Sequence, residues 1–181
     1  MHYVKEVALK VNVVDGGGAT SDTSEIEVSP KTIRISGSKS QLDNIHEIVL
    51  GTVQLGKIPA DTMLPFDIDL PEGVTNETGI MKADVSVKFP TLGVRTLQIS
   101  NIRAINTNGK NLELITQALP VMVRGPKALI AKLKVSDVIV LADFESASLG
   151  TTTVPARITF TGEFAQLGAV GDYTVSATLS E

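Results

Sequence analysis

An internal repeat is the sequence feature that most constrains the fold. Residues 35–45, ISGSKSQLDNI, closely resemble residues 123–133, VRGPKALIAKL. Both stretches place a glycine, a lysine and three bulky apolar residues at the same positions. A period of about 90 residues that occurs twice predicts two tandem domains, one at 1–90 and the other at 91–181.

The later part of each repeat consists of alternating sequence typical of β-strands. LPFDIDL at 64–70 matches VPARITF at 154–160, and Pro65 falls on Pro155. KADVSVKF at 82–89 matches DYTVSATL at 172–179. Apolar residues at every second position predict strands with one buried face, and hence a mostly β fold.

The beginning of each repeat also indicates a strand. Residues 4–14 and residues 94–105 each predict one long strand that ends in a turn. The turn sequences DGGGATSDTSE and NTNGKN supply glycine and asparagine, which accept positive φ most readily.

The repeated stretch itself predicts a strand, a turn at glycine and then a short helix. Ser38 can cap the first helix, and Pro126 suits the first helical position of the second. In each copy two apolar residues three apart are expected on one helical face, with His46 in the same helix as the first pair. The residues assigned to this structural motif and to the proline-bearing strands are Gly37, Leu42, Ile45, Pro65, Gly125, Pro126, Ile130, Leu133 and Pro155.

Composition argues against several classes of function. The chain has no cysteine, which excludes disulfides and thiolate chemistry. Its net charge is −4, which disfavours binding through nucleic-acid phosphates. It has no tryptophan and only 4% aromatic residues, so stacking surfaces for sugars or single-stranded nucleic acids are poorly supplied.

Polar residues that could form an active site or metal site are few. His46 has no evident nucleophile or orienting partner, so it predicts a surface histidine rather than a general base. Carboxylates at Asp61, Asp67 and Asp69 could bind calcium, but alternation on a wet strand face explains their spacing equally well. The loop carboxylates Asp15, Asp22 and Glu25 lack the regular spacing of a calcium loop.

GSKS at residues 37–40 resembles the end of a phosphate-binding loop. It lacks the upstream glycine and the Gly-Lys-Ser/Thr order, and the second copy has no hydroxyl at the equivalent place. We therefore predict no catalytic residue, no metal ligand and no cofactor.

The repeated pattern of a strand, a glycine and two spaced apolar residues resembles the YbbR domain. The resemblance covers both copies, although the first has Gly37-Ser38 instead of Gly-Pro and the second has Ala118 where the first has Pro30. The residues that carry it are Pro30, Ile33, Ile35, Gly37, Ser38, Leu42 and Ile45, and then Val121, Val123, Gly125, Pro126, Ile130 and Leu133.

The resemblance implies both a fold and a function. It implies two tandem mostly β domains, similar to the C-terminal domain of the ribosomal protein L25 family, each with at most a short helix. It also implies a module on the extracytoplasmic face of the membrane, in a bacterial protein anchored by a segment outside this sequence. Its expected partner is a membrane diadenylate cyclase, whose synthesis of cyclic di-AMP it would regulate through protein contacts.

Two alternatives from other classes remain open at this point: an RNA-binding module like those of L25-type proteins, and a module that binds the cell wall or sugars. The net charge differs between the copies, at −5 for residues 1–90 and +1 for residues 91–181. An acidic first copy could face a basic partner, although a solvated surface explains the difference more simply.

Overall fold

The computed structural model describes residues 1–181 and consists almost entirely of β-strands. This confirms the predicted mostly β class, in which each repeat has a single short α-helix. The similarity to the L25 domain stays a prediction. The elements are β1 (Tyr3–Val14), β2 (Glu25–Ser29), β3 (Thr32–Gly37), α1 (Lys39–Asp43), β4 (Glu47–Gln54), β5 (Thr62–Asp67), β6 (Thr75–Asn76), β7 (Lys82–Lys88), β8 (Leu92–Ile99), β9 (Ile102–Ile105), β10 (Asn111–Leu114), β11 (Leu119–Pro126), α2 (Lys127–Lys132), β12 (Val138–Asp143), β13 (Gly150–Phe160), β14 (Gly168–Val170) and β15 (Tyr173–Ser180).

Unit 1 is one of two compact units in the chain. It comprises Met1–Val14, Thr20–Leu55 and Ala60–Pro90. Its strands form a four-stranded sheet in the order β4-β1-β3-β6 and a three-stranded sheet in the order β2-β7-β5. Alternate apolar residues of these strands, together with one residue of α1 and one that directly follows β5, form its core: Val7, Leu9, Ile33, Ile35, Leu42, Ile48, Ile68 and Ala83.

Unit 2 comprises Thr91–Glu181 and two short loops from the first half of the chain, Asp15–Ala19 and Gly56–Pro59. Its sheets have the orders β10-β15-β13-β12-β9 and β14-β11-β8. Residues from both sheets and from α2 pack into one core, in which Ile99, Val121, Val140 and Val175 are fully buried.

Strand pairing repeats with nearly the same register in the two units. Pro65 pairs with Asp84 between β5 and β7, and Pro155 pairs with Thr174 between β13 and β15. The antiparallel pairing of β1 with β3 likewise corresponds to that of β8 with β11. The sequence repeat therefore records a repeated sheet topology as well as a repeated local motif.

The prediction of one continuous strand over 94–105 is wrong. The chain leaves the ladder at Ser100 and Asn101, which separates β8 from β9 and places them in different sheets. In the first copy the register of β1 shifts between Lys10 and Asn12, at the equivalent point. An irregularity of this kind lets β1 continue in one sheet, whereas in the second copy the strand is interrupted and divided into β8 and β9.

The helices are shorter than the sequence pattern suggested. Helix α1 ends at Asp43, so Ile45 and His46 lie beyond it, although Ile45 still packs against the unit 1 core. Helix α2 begins at Lys127, so Pro126 is its N-cap residue and not its first helical residue. No helix of the structure has both the length and the apolar character that crossing a membrane requires.

Candidate interaction surfaces

Serine at the start of α1 acts as predicted. Ser38 Oγ accepts a hydrogen bond from the Gln41 backbone N–H at 3.3 Å, and the Ser38 N–H donates to Gln41 Oε1 at 3.2 Å. These bonds satisfy donors that the first turn of a helix leaves unpaired. The glycine-serine-lysine-serine sequence is thus explained by helix capping.

A basic side chain closes the other end of each helix, which sequence reasoning missed. Lys5 Nζ donates to the carbonyl oxygens of Leu42 at 3.0 Å and Ile45 at 2.7 Å. Arg95 Nη1 donates to the carbonyl oxygen of Leu133 at 2.7 Å. Cations favour the C-terminal end of a helix, where carbonyl groups are unpaired. Lys5 and Arg95 are 90 residues apart on equivalent strands, so the repeat offset was the signal that could have identified them.

Arg124 is the buried charge of unit 2. Its side chain lies on β11 with 0% of its surface exposed. Arg124 Nε donates to the Gly17 carbonyl oxygen at 2.8 Å, Nη1 donates to that of Ile58, and Nη2 lies 3.3 Å from that of Gly16. Desolvation on burial lowers the pKa of the guanidinium from its ordinary value, but an arginine stays charged at any physiological pH.

The glycines of the first loop permit its close approach to β11. A Cβ on Gly18 would lie 1.8 Å from the Arg124 carbonyl oxygen, and one on Gly17 would lie 2.9 Å from Nη2 of that arginine. Both glycines have positive φ, at +58° for Gly17 and +75° for Gly18. The GGG sequence is therefore required by packing around Arg124 as well as by the turn itself.

An open groove lies on the outer face of the five-stranded sheet of unit 2. The pairing of β12 with β13 ends at Ala142 and Ala156, because the preceding residue, Pro155, has no N–H to extend it. Pairing of β13 with β15 continues through Pro155, and β12 stays paired with β9 through Asp143, so β12 and β13 separate here and leave a depression. We call this the Pro155 groove; its lining includes Ile105, Leu141, Asp143, Thr153, Pro155 and Arg157.

Asp143 gives the groove a fixed negative charge. Asn106 Nδ2 donates to Asp143 Oδ1 at 3.0 Å, and this bond lowers the pKa of the carboxyl group from its ordinary value. The Glu145 backbone N–H, 2.9 Å from the same oxygen, and the positive charge of Arg157 act in the same direction. The groove thus combines an apolar floor with two acids, Asp143 and Glu145, and one base, Arg157.

The other polar candidates do not converge. His46 is exposed at a bend before β4. Asp61 accepts a hydrogen bond from the Phe89 backbone N–H at 2.9 Å, and Asp67 lies 3.5 Å from Lys82 Nζ on the neighbouring strand. The structure contains no group of three or more carboxylates or imidazoles placed to bind one metal ion.

Comparison with known proteins gives one relationship at the level of sequence. No family model matches the chain. The chain is 29% identical over 120 residues to the CdaA regulatory protein CdaR of Bacillus subtilis. The match covers 62% of this chain and 24% of CdaR, so the chain spans about a quarter of that relative's length. This similarity agrees with the resemblance to the YbbR domain that the repeated motif indicated.

Three solved structures share a more distant similarity. A YbbR-like domain of the protein lmo2119 from Listeria monocytogenes is 19% identical, with a TM-score of 0.40 over 49% of this chain and 94% of that one. SuR18C from Streptococcus thermophilus is 20% identical, with a TM-score of 0.39 over 49% and 86%. A YbbR-like protein from Streptococcus pneumoniae is 12% identical, with a TM-score of 0.33 over 99% and 95%.

Proposed function

We propose that this chain is a non-enzymatic regulatory module of a membrane-anchored bacterial protein. It acts on the extracytoplasmic face of the membrane and modulates a membrane diadenylate cyclase through protein contacts. The observation that carries the proposal is the 29% identity to CdaR, which is named as the regulatory protein of CdaA. The YbbR resemblance supplies the class of partner, a diadenylate cyclase.

The Pro155 groove is our candidate for the contact surface. It lies on a sheet face that the core leaves open, where Pro155 and Arg157 are exposed. It offers apolar side chains at its floor and opposite charges at its rim, which is the usual composition of a protein-binding site. Groove residues come from β9, β12 and β13, so a rigid sheet positions them.

The sugar-binding alternative receives no support from the surface. Tyr3 is the one exposed aromatic residue of the chain, with 43% of its surface accessible. Tyr173 lies partly buried, its hydroxyl group bonded to the Val170 carbonyl oxygen and the Met122 N–H. A stacking platform needs several rings on one face, and this chain presents a single ring.

A reconstitution experiment tests the proposal. The cyclase is co-expressed, in a host that lacks cyclic di-AMP, with the anchored parent protein or with a version that lacks residues 1–181. We expect the nucleotide level to change when these residues are present and to return to that of the cyclase alone when they are removed. Equal regulation by both versions would show that the anchor alone contacts the cyclase and would overturn the proposal.

A matched pair of variants then tests the contact surface. Arg157→Glu reverses a charge in the groove, and Lys132→Glu reverses a charge at an exposed position of α2. Arg157→Glu is expected to raise the concentration of the regulator needed for half-maximal regulation at least about tenfold, because it replaces the one base of the groove with a third acid. Lys132→Glu is expected to regulate normally. Equal behaviour of the two variants would exclude the groove.

A further inference from the structure

Part of β13 is a free edge within the five-stranded sheet. Its residues from Gly150 to Ala156 pair with β15 on one side, whereas on the other side its pairing with β12 begins only at Ala156. No backbone hydrogen bond reaches Thr151 or Thr153 from the loop that follows β12. The first half of β13 is therefore an edge strand, although its second half lies inside the sheet.

The hydrogen bonds around this strand show which backbone groups face the open side. The Thr161 N–H donates to the Asp137 carbonyl oxygen at 3.1 Å, so odd-numbered residues of β13 face β12. The Ser176 carbonyl oxygen accepts bonds from the two residues after β10, so odd-numbered residues of β15 bond to even-numbered residues of β13. Both observations direct the N–H and C=O groups of Thr151 and Thr153 into the Pro155 groove.

The free edge lacks the features that usually keep other strands away. Edge strands in natural proteins carry charged side chains, prolines or bulges. Residues 150–154, GTTTV, carry no charge and pair with β15 in an unbroken register. Threonine and valine also favour an extended backbone. This segment is therefore suited to accept one more strand, which is a common way for a sheet to bind a peptide.

The wall of the groove opposite the free edge is fixed and acidic. It is the loop after β12, which is held by Lys110 Nζ at 3.4 Å from the Ala147 carbonyl oxygen. Asp143 and Glu145 belong to this wall, are exposed and line the groove together with residues 152–155 of β13. An occupant of the groove would therefore need a basic side chain on the side away from β13.

We propose that the Pro155 groove binds its partner by strand addition. An extended segment of the partner protein pairs antiparallel with β13 and exchanges backbone hydrogen bonds with Thr151 and Thr153. A lysine or arginine of this segment lies beside Asp143 and Glu145, and an acidic residue lies at the end nearest Arg157. That the partner is the cyclase rests on the proposed function, whereas the mode of contact rests on the free edge of β13.

A second copy of the chain does not meet the charge requirement of this site. Two free edges paired with one another would bring together two walls that each carry Asp143 and Glu145. Like charges disfavour such a pair, and the net charge of −4 on each chain adds to the repulsion.

Amide hydrogen exchange of the purified chain tests the free edge. The amides of Thr151 and Thr153 are expected to exchange at least about tenfold faster than those of Thr152 and Val154, which bond to β15. Equal protection of all four amides would show that the edge is already paired and would overturn the proposal.

A peptide titration without the cyclase then tests the occupant. The probe is the end-blocked peptide Glu-Val-Thr-Val-Thr-Lys, added up to millimolar concentration and followed by NMR. Its binding is expected to slow exchange of the Thr151 and Thr153 amides. Replacement of the peptide's lysine by glutamate is expected to raise the Kd at least about fivefold, because it faces two acids.

Two variants at one position separate backbone pairing from side-chain contact. Thr153→Pro removes the N–H that faces the groove and is expected to raise the Kd at least about tenfold. Pro155, which faces the same side of β13, shows that the strand accommodates proline in this phase. Thr153→Val loses the same hydroxyl group, which bonds to Ser176 Oγ at 2.8 Å, but keeps the N–H. It is expected to bind the peptide like wild type.

The outcomes distinguish this inference from the proposed function. Absence of peptide binding, or equal binding by Thr153→Pro and Thr153→Val, would overturn strand addition even if the reconstituted cyclase were regulated. Failure of regulation with normal peptide binding would overturn the choice of partner alone. Sedimentation velocity that showed self-association, lost in Thr153→Pro, would assign the free edge to a second copy and would also overturn the proposal.

Discussion

The packing of the Gly18 loop allows steric clash to be separated from backbone strain. Gly18 and Gly109 both belong to unit 2 and have nearly identical φ, +75° and +76°. A Cβ on Gly109 would have no heavy atom within 4 Å, whereas one on Gly18 would lie 1.8 Å from the Arg124 carbonyl oxygen. Alanine at either position has the same strain of a left-handed backbone, and only Gly18→Ala adds a steric clash.

The size of the clash can be worked from the structure. Real Cβ atoms essentially never approach another heavy atom closer than 3.0 Å, so the loop must retreat by about 1.2 Å. A shift of that size takes the 2.8 Å bond from Arg124 Nε to the Gly17 carbonyl oxygen out of hydrogen-bonding range. We expect Gly109→Ala to lower the free energy of unfolding by about 1 kcal/mol, the cost of left-handed backbone. Gly18→Ala should lower it by about 3–4 kcal/mol, since a bond to a buried charge is also lost.

Urea unfolding of the wild type, Gly18→Ala and Gly109→Ala measures the loss of unfolding free energy. Hydrogen exchange of unit 2 amides then measures the loosening of the loops. The Gly171 N–H is the local probe, because it donates to the Gly56 carbonyl oxygen of the second loop. It should exchange faster in Gly18→Ala and at the wild-type rate, corrected for global stability, in Gly109→Ala. Equal losses for the two variants would refute the claim that close packing on β11, and not turn geometry, selects this glycine.

Further expectations concern polar side chains in both units. Arg124→Met leaves the carbonyl groups of the loops without their donor, so we expect the free energy of unfolding in urea to fall by about 3 kcal/mol. A decrease below about 0.5 kcal/mol, typical of surface substitutions, would contradict the assigned role. Lys5→Met should lower the free energy of unfolding by about 1–2 kcal/mol, and Arg95→Met should lower it less. The reason is that Lys5 is partly buried and donates to two carbonyl groups, whereas Arg95 is exposed and donates to one. Urea unfolding of the two variants measures which loses more. Asn106→Ala removes the main cause of the lowered pKa of Asp143, so the carboxyl titration followed by NMR should move upward. Because that pKa is depressed in the folded state, the stability it contributes is present above about pH 4 and is lost as the pH falls through the folded value; a variant whose stability deficit persisted at pH 2 would contradict this account.

Much of the local structure could be predicted because it depends on short-range chemistry. Ser38 caps its helix as its position suggested, and Asn106, Asn108 and Gly109 take positive φ in the predicted turn. Alternation correctly indicated the strands that contain Pro65 and Pro155, although β5 ends at Asp67 and does not reach Leu70 as predicted. These features follow from residue type and from neighbours within a few positions.

The remaining features depend on contacts distant in sequence. By residue type and position, Arg124 is an ordinary charged residue at the end of a predicted strand, and its burial depends on loops more than 60 residues earlier in the chain. The break between β8 and β9 has no strong signal, since Ser100 and Asn101 are common at strand ends and in irregular strands alike. The Pro155 groove arises from where one ladder stops, which composition does not specify.

Because of the loops that contact Arg124, the boundaries of the sequence repeat do not coincide with those of the compact unit. A coding sequence cut after Pro90 would encode the second repeat without Asp15–Ala19 and Gly56–Pro59. The Arg124 guanidinium on β11 would then lose the carbonyl oxygens of these loops as hydrogen-bond acceptors. Shuffling of repeats between genes would therefore meet a compatibility requirement: a copy that carries arginine at this position needs a predecessor whose loop is rich in glycine. In such an array, each copy would have to match the loop of the copy before it, which restricts the order in which copies can be joined.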